Sequence, residues 1–206
     1  MAIIFFVTIT LVAEETEEVI AVASYIESSE LDASPVDIIS AEEFKNLRVS
    51  TVAELSKYLS IASGSHFQTN ALDGIDQGMA TITLRGLGHS STLVLVNKKR
   101  QTHSGTPSDE GEGYIDINII PEIALERIEI LKDGATSLYG SDAIAGVINF
   151  QTYQQFDGMR FLLGSQKTSN YDQRDNTFGV LFGGKFWEGN YVLALSSLNK
   201  SPLNAA

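Results

Sequence analysis

The chain has no cysteine. No disulfide can brace it, and thiol chemistry and cysteine metal sites are excluded. Positive charge is scarce: 14 Lys and Arg stand against 26 Asp and Glu, a formal net charge of −12 at pH 7. Such a surface repels phosphate and argues against a nucleic-acid partner. The one basic cluster, Lys98-Lys99-Arg100, follows a strand-like run and reads as a solvated turn. Long apolar runs are lacking too. Residues 1–13 are nearly all apolar or Thr, but a membrane-spanning helix needs about 20 residues. The segment fits the apolar core of a secretory signal, with Leu11-Val12-Ala13 ahead of Glu14 as a cleavage site, although no basic residue precedes it. A buried N-terminal strand is the alternative.

Catalytic patterns are also missing. Gly88-His89-Ser90-Ser91-Thr92 approaches the Gly-x-Ser-x-Gly elbow of serine hydrolases, but Thr92 replaces the last Gly and a strand follows where a helix is required. Arg85-Gly86-Leu87-Gly88 lacks the third Gly and the Gly-Lys-Thr of a nucleotide loop. His66, His89 and His103 have no metal-ligand spacing. The acidic loop Asp109-Glu110-Gly111-Glu112-Gly113, with Asp116, does not match the 12-residue calcium loop. No catalytic residue, metal or cofactor is expected.

What is present is a folded-protein composition, 43 % hydrophobic over 206 residues, enough for one or two domains. Ser40 with Glu43 makes a capping box and predicts a helix to about Leu47. Ser50 or Thr51 caps a second helix with Val52, Leu55 and Leu59 on one face. Strands are predicted from Pro35 to Ser40, Met79 to Leu84, Leu93 to Val96, Ile115 to Ile120 and Ala124 to Lys132. Residues 64–78 and 101–113 read as long polar loops. The most informative stretch is IEILKDGATSLYGSDAIAGVINF, from Ile128 to Phe150: strand, Lys-Asp-Gly turn, short helical turn, then a second strand. Gly134, Gly140 and Gly146 mark sharp turns or close approach to another wall.

That stretch closely resembles the end of the plug domain of TonB-dependent outer-membrane receptors. TITLRGLGHSSTLVLVNKKR, from Thr81 to Arg100, resembles the plug's central strand, Gly-rich turn and next strand, with Lys98 where many relatives place a Gly. Ser34-Pro35-Val36-Asp37-Ile38-Ile39-Ser40-Ala41-Glu42-Glu43 and Thr51-Val52-Ala53-Glu54-Leu55 extend the resemblance, in the family's order, over roughly residues 17–150. The resemblance implies an α+β chain: a small mixed α/β plug, then antiparallel strands of an outer-membrane β-barrel. It implies a TonB box at Glu18, Val19, Ile20, Ala21, Val22 and Ala23, pairing by strand addition with a TonB-type energy-coupling protein. Arg85, Arg127, Glu129 and Lys132 would face the inner barrel wall. A small nutrient would meet apical loops carrying His66, Asp73, His103 and Asp109.

After Asp157-Gly158 the pattern alternates. Phe178, Val180, Phe182 and Phe186 share a face, as do Tyr191, Leu193 and Leu195, while Met159, Phe161 and Leu163 begin a third run. Glu188-Gly189-Asn190 reads as the turn between the last two strands. Alternating segments of about ten residues with short turns are the pattern of an outer-membrane barrel. A soluble hairpin sheet has the same period, and the place behind a plug favours the barrel. The expected division is 1–13 signal-like, 14–34 TonB-box segment and linker, 35–153 plug, and 158–200 first barrel strands. Three strands cannot close without leaving backbone groups unpaired in lipid, so the chain is expected to be the N-terminal part of a longer receptor. The expected role is energy-coupled nutrient uptake across the outer membrane. A stand-alone periplasmic binding module is the alternative, and an enzyme a distant third.

Overall fold

The computed structural model describes residues 36–47, 49, 51–65, 78–108, 111–167, 174–187 and 189–201. The signal-like segment, the 18–23 segment, Pro35 and most of the 64–78 loop lie outside the described residues. Among the described residues the strands form two sheets.

The first sheet has strands β1 (Val36–Ser40), β2 (Thr92–Val96), β3 (Lys99–Arg100), β4 (Leu125–Leu131) and β5 (Gly146–Thr152), in the order β1-β4-β5-β2-β3. Only the β2–β5 pair is parallel. Helix α1 (Ala41–Asn46) follows β1. Its capping box forms as read: Glu43 N donates to Ser40 Oγ at 3.2 Å, and Ser40 N donates to Glu43 Oε2 at 3.0 Å. Thr51 caps the next element, a 3-10 helix (Val52–Tyr58) in place of the expected α-helix, which buries Val52, Ala53 and Leu55. Helix α2 (Thr136–Tyr139) is the short turn before Gly140.

The core lies on both faces of this sheet. Leu84, Val94, Ile128, Ile130, Ile148 and Phe150 pack with Leu55 on one face. Leu93, Leu95, Leu131, Ala135, Ala143 and Val147 pack on the other. Apolar runs rather than strict alternation in β2 and β5 follow from burial on both sides.

Two expected strands are absent. Residues 79–84 hold a single bridge at Thr81, although all six are buried. Side chains take the place of a ladder there: Thr83 N donates to Ser65 Oγ at 3.0 Å and Leu84 N to Thr92 Oγ1 at 2.9 Å. Ile115–Ile120 turns instead through a 3-10 helix (Ile117–Ile119), because Asp116 accepts from Asn118 N at 3.0 Å. Hydrophobicity alone does not distinguish a buried loop from a buried strand.

The second sheet is an antiparallel meander of β6 (Gly158–Lys167), β7 (Arg174–Phe186) and β8 (Gly189–Lys200). Phe186 pairs with Gly189, so Gly189 and Asn190 already belong to β8 and not to the expected Glu188-Gly189-Asn190 turn. Trp187, just past β7, takes a left-handed φ of 59°. Met159, Phe161 and Leu163 stand opposite Phe182, Val180 and Phe178. Val180 and Phe182 in turn pair with Leu195 and Leu193, giving one outward apolar stripe.

Candidate functional site

Polar side chains collect at the end of the first sheet where β4 begins and β5 ends. Glu129 and Asn149 are register partners, both fully buried. Arg127 Nε donates to Glu129 Oε1 at 2.8 Å, and Asn149 Nδ2 donates to Oε2 at 2.9 Å. Asn149 Oδ1 accepts from Lys98 N at 2.9 Å. Each carboxylate oxygen therefore has a donor, and the buried charge has a cation beside it. The Lys98 amide is presented by the β2–β3 turn, where Asn97 and Lys98 have φ of 51° and 63°. Asn97 secures that turn by accepting from Thr152 N at 2.9 Å.

The other two charged residues expected against a wall also bond within this unit. Arg85 reaches Asp133 at 3.2 Å and the Lys132 carbonyl, and Lys132 pairs with Asp37 of β1. Arg85 and Lys132 thus hold the β4–α2 turn, while Arg127 and Glu129 form the buried pair. His66, Asp73 and Asp109 lie outside the described residues. His103 is exposed, its ring packed close to Gly113. It lines a cavity of about 320 Å³ with His89, Arg100, Tyr114 and Asp142. There His89 Nδ1 lies 3.2 Å from Thr81 Oγ1, and Arg100 pairs with Asp142 at 2.6 Å.

The two sheets meet through the 3-10 turn Glu122–Ala124, just ahead of β4. Small residues on β7 admit it: a Cβ on Gly179 would lie 3.4 Å from Ile123 Cβ and 3.2 Å from Leu162 Cβ. Leu181, on the same face two residues on, is fully buried. Burial, and then the like charge of Glu54, push the Glu122 carboxyl up to about 7. The arrangement is a mixed sheet domain packed, through this turn among others, on the face of β6–β8 that carries Gly179 and Leu181.

The plug domain family of TonB-dependent receptors matches residues 30–147, more than half the chain. The chain belongs to this family. An iron-regulated outer membrane virulence protein of Vibrio cholerae is 31 % identical over 175 residues, covering 81 % of this chain and 26 % of that protein. The vitamin B12 transporter BtuB of Vibrio vulnificus is 30 % identical over 142 residues, covering 63 % and 22 %. The crystal structure of the siderophore receptor PirA from Acinetobacter baumannii aligns with a TM-score of 0.59 at 26 % identity, covering 79 % of this chain and 24 % of that one. The chain therefore spans about a quarter of the length of the relatives it matches. The α+β reading holds: a mixed helix and strand plug, followed by strands of an incomplete barrel.

Sequence reasoning missed Asn149 and the Glu122–Ala124 turn of the plug. Asn149 carried a signal, being the one polar residue within Val147-Ile148-Asn149-Phe150. Glu122 carried none, because an acid after a proline is an ordinary surface pattern.

Proposed function

We propose that this chain is the plug-containing N-terminal part of a receptor for energy-coupled nutrient uptake across the outer membrane. The observation that carries the reading is a family plug, matched over residues 30–147, followed by antiparallel strands with an outward apolar stripe. The plug would block the lumen while the strands contribute to the wall. The protein's place is the outer membrane, as the names of its relatives indicate for them. Other relatives are a transporter and a receptor by name, and no covalent chemistry is assigned to this chain. The cargo would be a small nutrient: relatives are named for siderophores, ferric enterobactin and vitamin B12. Its contacts would be the apical loops, with His66, Asp73, His103 and Asp109 as candidates. Arg85, Arg127, Glu129 and Lys132 are kept as candidates for contact with the wall as well. The plug's division at 35–153 and the strands at 158–200 fit this scheme. The stand-alone module has less support, because it gives the stripe of Phe161, Leu163, Phe178, Phe182, Leu193 and Leu195 no role.

The coupling contact is assigned to Glu18, Val19, Ile20, Ala21, Val22 and Ala23, engaged by a TonB-type protein through strand addition. Proline removes a donor and fixes φ. Ile20→Pro in the whole receptor is expected to abolish uptake of radiolabelled cargo while cell-surface binding stays intact, and Ile20→Val to be nearly silent. Normal uptake by the proline variant would overturn the assignment.

A further inference from the structure

The turn that seats the plug on the wall carries a carboxyl in an awkward place. Glu122 Oε2 is out of reach of solvent and has no hydrogen-bond partner among the described residues. Two cavities flank it, and Leu162 of β6 lines both. One, of about 250 Å³, opens beside α1. The other, of about 180 Å³, lies against β7 and β8.

The surroundings decide what charge the carboxyl can hold. Glu54 of the 3-10 helix acts on it with the same sign, and Lys57 of that helix is paired to Glu54 at 3.2 Å. Helix α1 contributes Glu42 and Lys45 to the first cavity. Strand β6 contributes Arg160, whose Nη1 donates to the Tyr153 hydroxyl at 3.0 Å and whose guanidinium lies 5.1 Å from that ring's centre. Strands β7 and β8 face the second cavity with Thr177, Ser196 and Ser197, none of them charged. Burial and a like charge both oppose ionisation.

We propose that Glu122 is a proton-operated latch between plug and wall: the seam closes on the neutral carboxyl and loosens when it ionises. The proposal rests on reading β6–β8 as barrel wall, and it adds a regulatory device to that reading. The carboxyl changes state at about 7 when buried, against an ordinary 4.5. Between those values the closed seam holds a proton that the open seam has lost. Rising pH therefore draws the seam open across that window and has no further effect above it. The flanking cavities leave room for water to reach the ionised group.

Amide hydrogen exchange on the full chain in detergent micelles tests this at the seam. The reporters are Ala124 N, which donates to the Pro121 carbonyl, and Tyr153 N, which donates to the Ala124 carbonyl, each at 3.0 Å. After correction for intrinsic exchange, their protection is expected to fall by up to about tenfold per pH unit between roughly pH 5 and 7, then level off. Glu122→Gln should keep the acid-side protection throughout. Glu54→Gln should keep the fall but move it to lower pH. A flat wild-type profile, or an unchanged fall in Glu122→Gln, overturns the latch. If Glu122→Gln fails to fold, an unshifted fall in Glu54→Gln does so instead. No uptake is measured, so failure of the transport reading would leave this result standing.

Discussion

Asn149 donates its side-chain amide to the Glu129 carboxylate at 2.9 Å across the β4–β5 pair, where neither residue is reached by solvent. With Arg127 on the other oxygen and the Lys98 amide on Asn149, the network joins two strands and one turn. A partly satisfied buried network is worse than an apolar one, so each member depends on the rest.

Asn149→Leu should therefore destabilise the plug despite added hydrophobicity. It leaves Glu129 Oε2 without this donor in a buried region, and the Lys98 amide without its acceptor. The expected loss is about 3 kcal/mol, from the cost of a buried group left unsatisfied beside a charge. Urea unfolding of the plug segment measures it. A change below about 0.5 kcal/mol, the range of ordinary surface substitutions, would show that the network carries little stability.

Gly146 is required for two reasons at once. Its φ is +141°, and a Cβ there would lie 2.4 Å from the Leu131 carbonyl oxygen and 2.8 Å from Leu84 Cδ1. The carbonyl belongs to the neighbouring strand and cannot yield easily. Gly146→Ala is expected to cost at least about 3 kcal/mol, from backbone strain with overpacking. Thermal unfolding unchanged from wild type would mean that the strand shifts to admit the methyl.

The β2–β3 turn offers the opposite experiment. Lys98 sits at φ 63°, where glycine pays no steric penalty, and its N–H still needs to reach Asn149. Lys98→Gly keeps that donor and removes the strain. It should stabilise the plug by about 1 kcal/mol, the usual cost of a non-glycine residue in this region. A lower melting temperature in the glycine variant would contradict the proposed strain.

Legibility in the sequence followed how local the cause was. The capping box at Ser40 and Glu43, the apolar strand ending in Val96 and the strand from Met159 onwards are set by neighbours a few residues apart, and they form as read. The stretch from Met79 to Leu84 is apolar enough to read as a strand, but its amides are met by Ser65 and Thr92, partners 18 and 8 residues away. The role of Lys132 was hidden similarly: its partner Asp37 is brought near by the β1–β4 register. The seam at Ile123 and Gly179 depends on contact between two sheets, which no local pattern encodes.

The meander also fixes a vertical scale. From Phe178 to Phe186 the β7 stripe spans eight residue steps, about 27 Å of strand at 3.4 Å each, or roughly 20 Å of depth at the tilt usual for barrels. That is close to the apolar band of an outer membrane, about 25 Å tall. One rim then falls at Phe186 and the almost fully exposed Trp187, whose rings meet edge to face at 6.3 Å. The other falls at Thr177, Asn176 and Asp175. Gly158, where the chain enters β6, pairs with Gly183 near the Trp187 rim. The link from the plug and the Phe186–Trp187 aromatic pair therefore lie at the same end of the meander, the end where β7 gives way to β8.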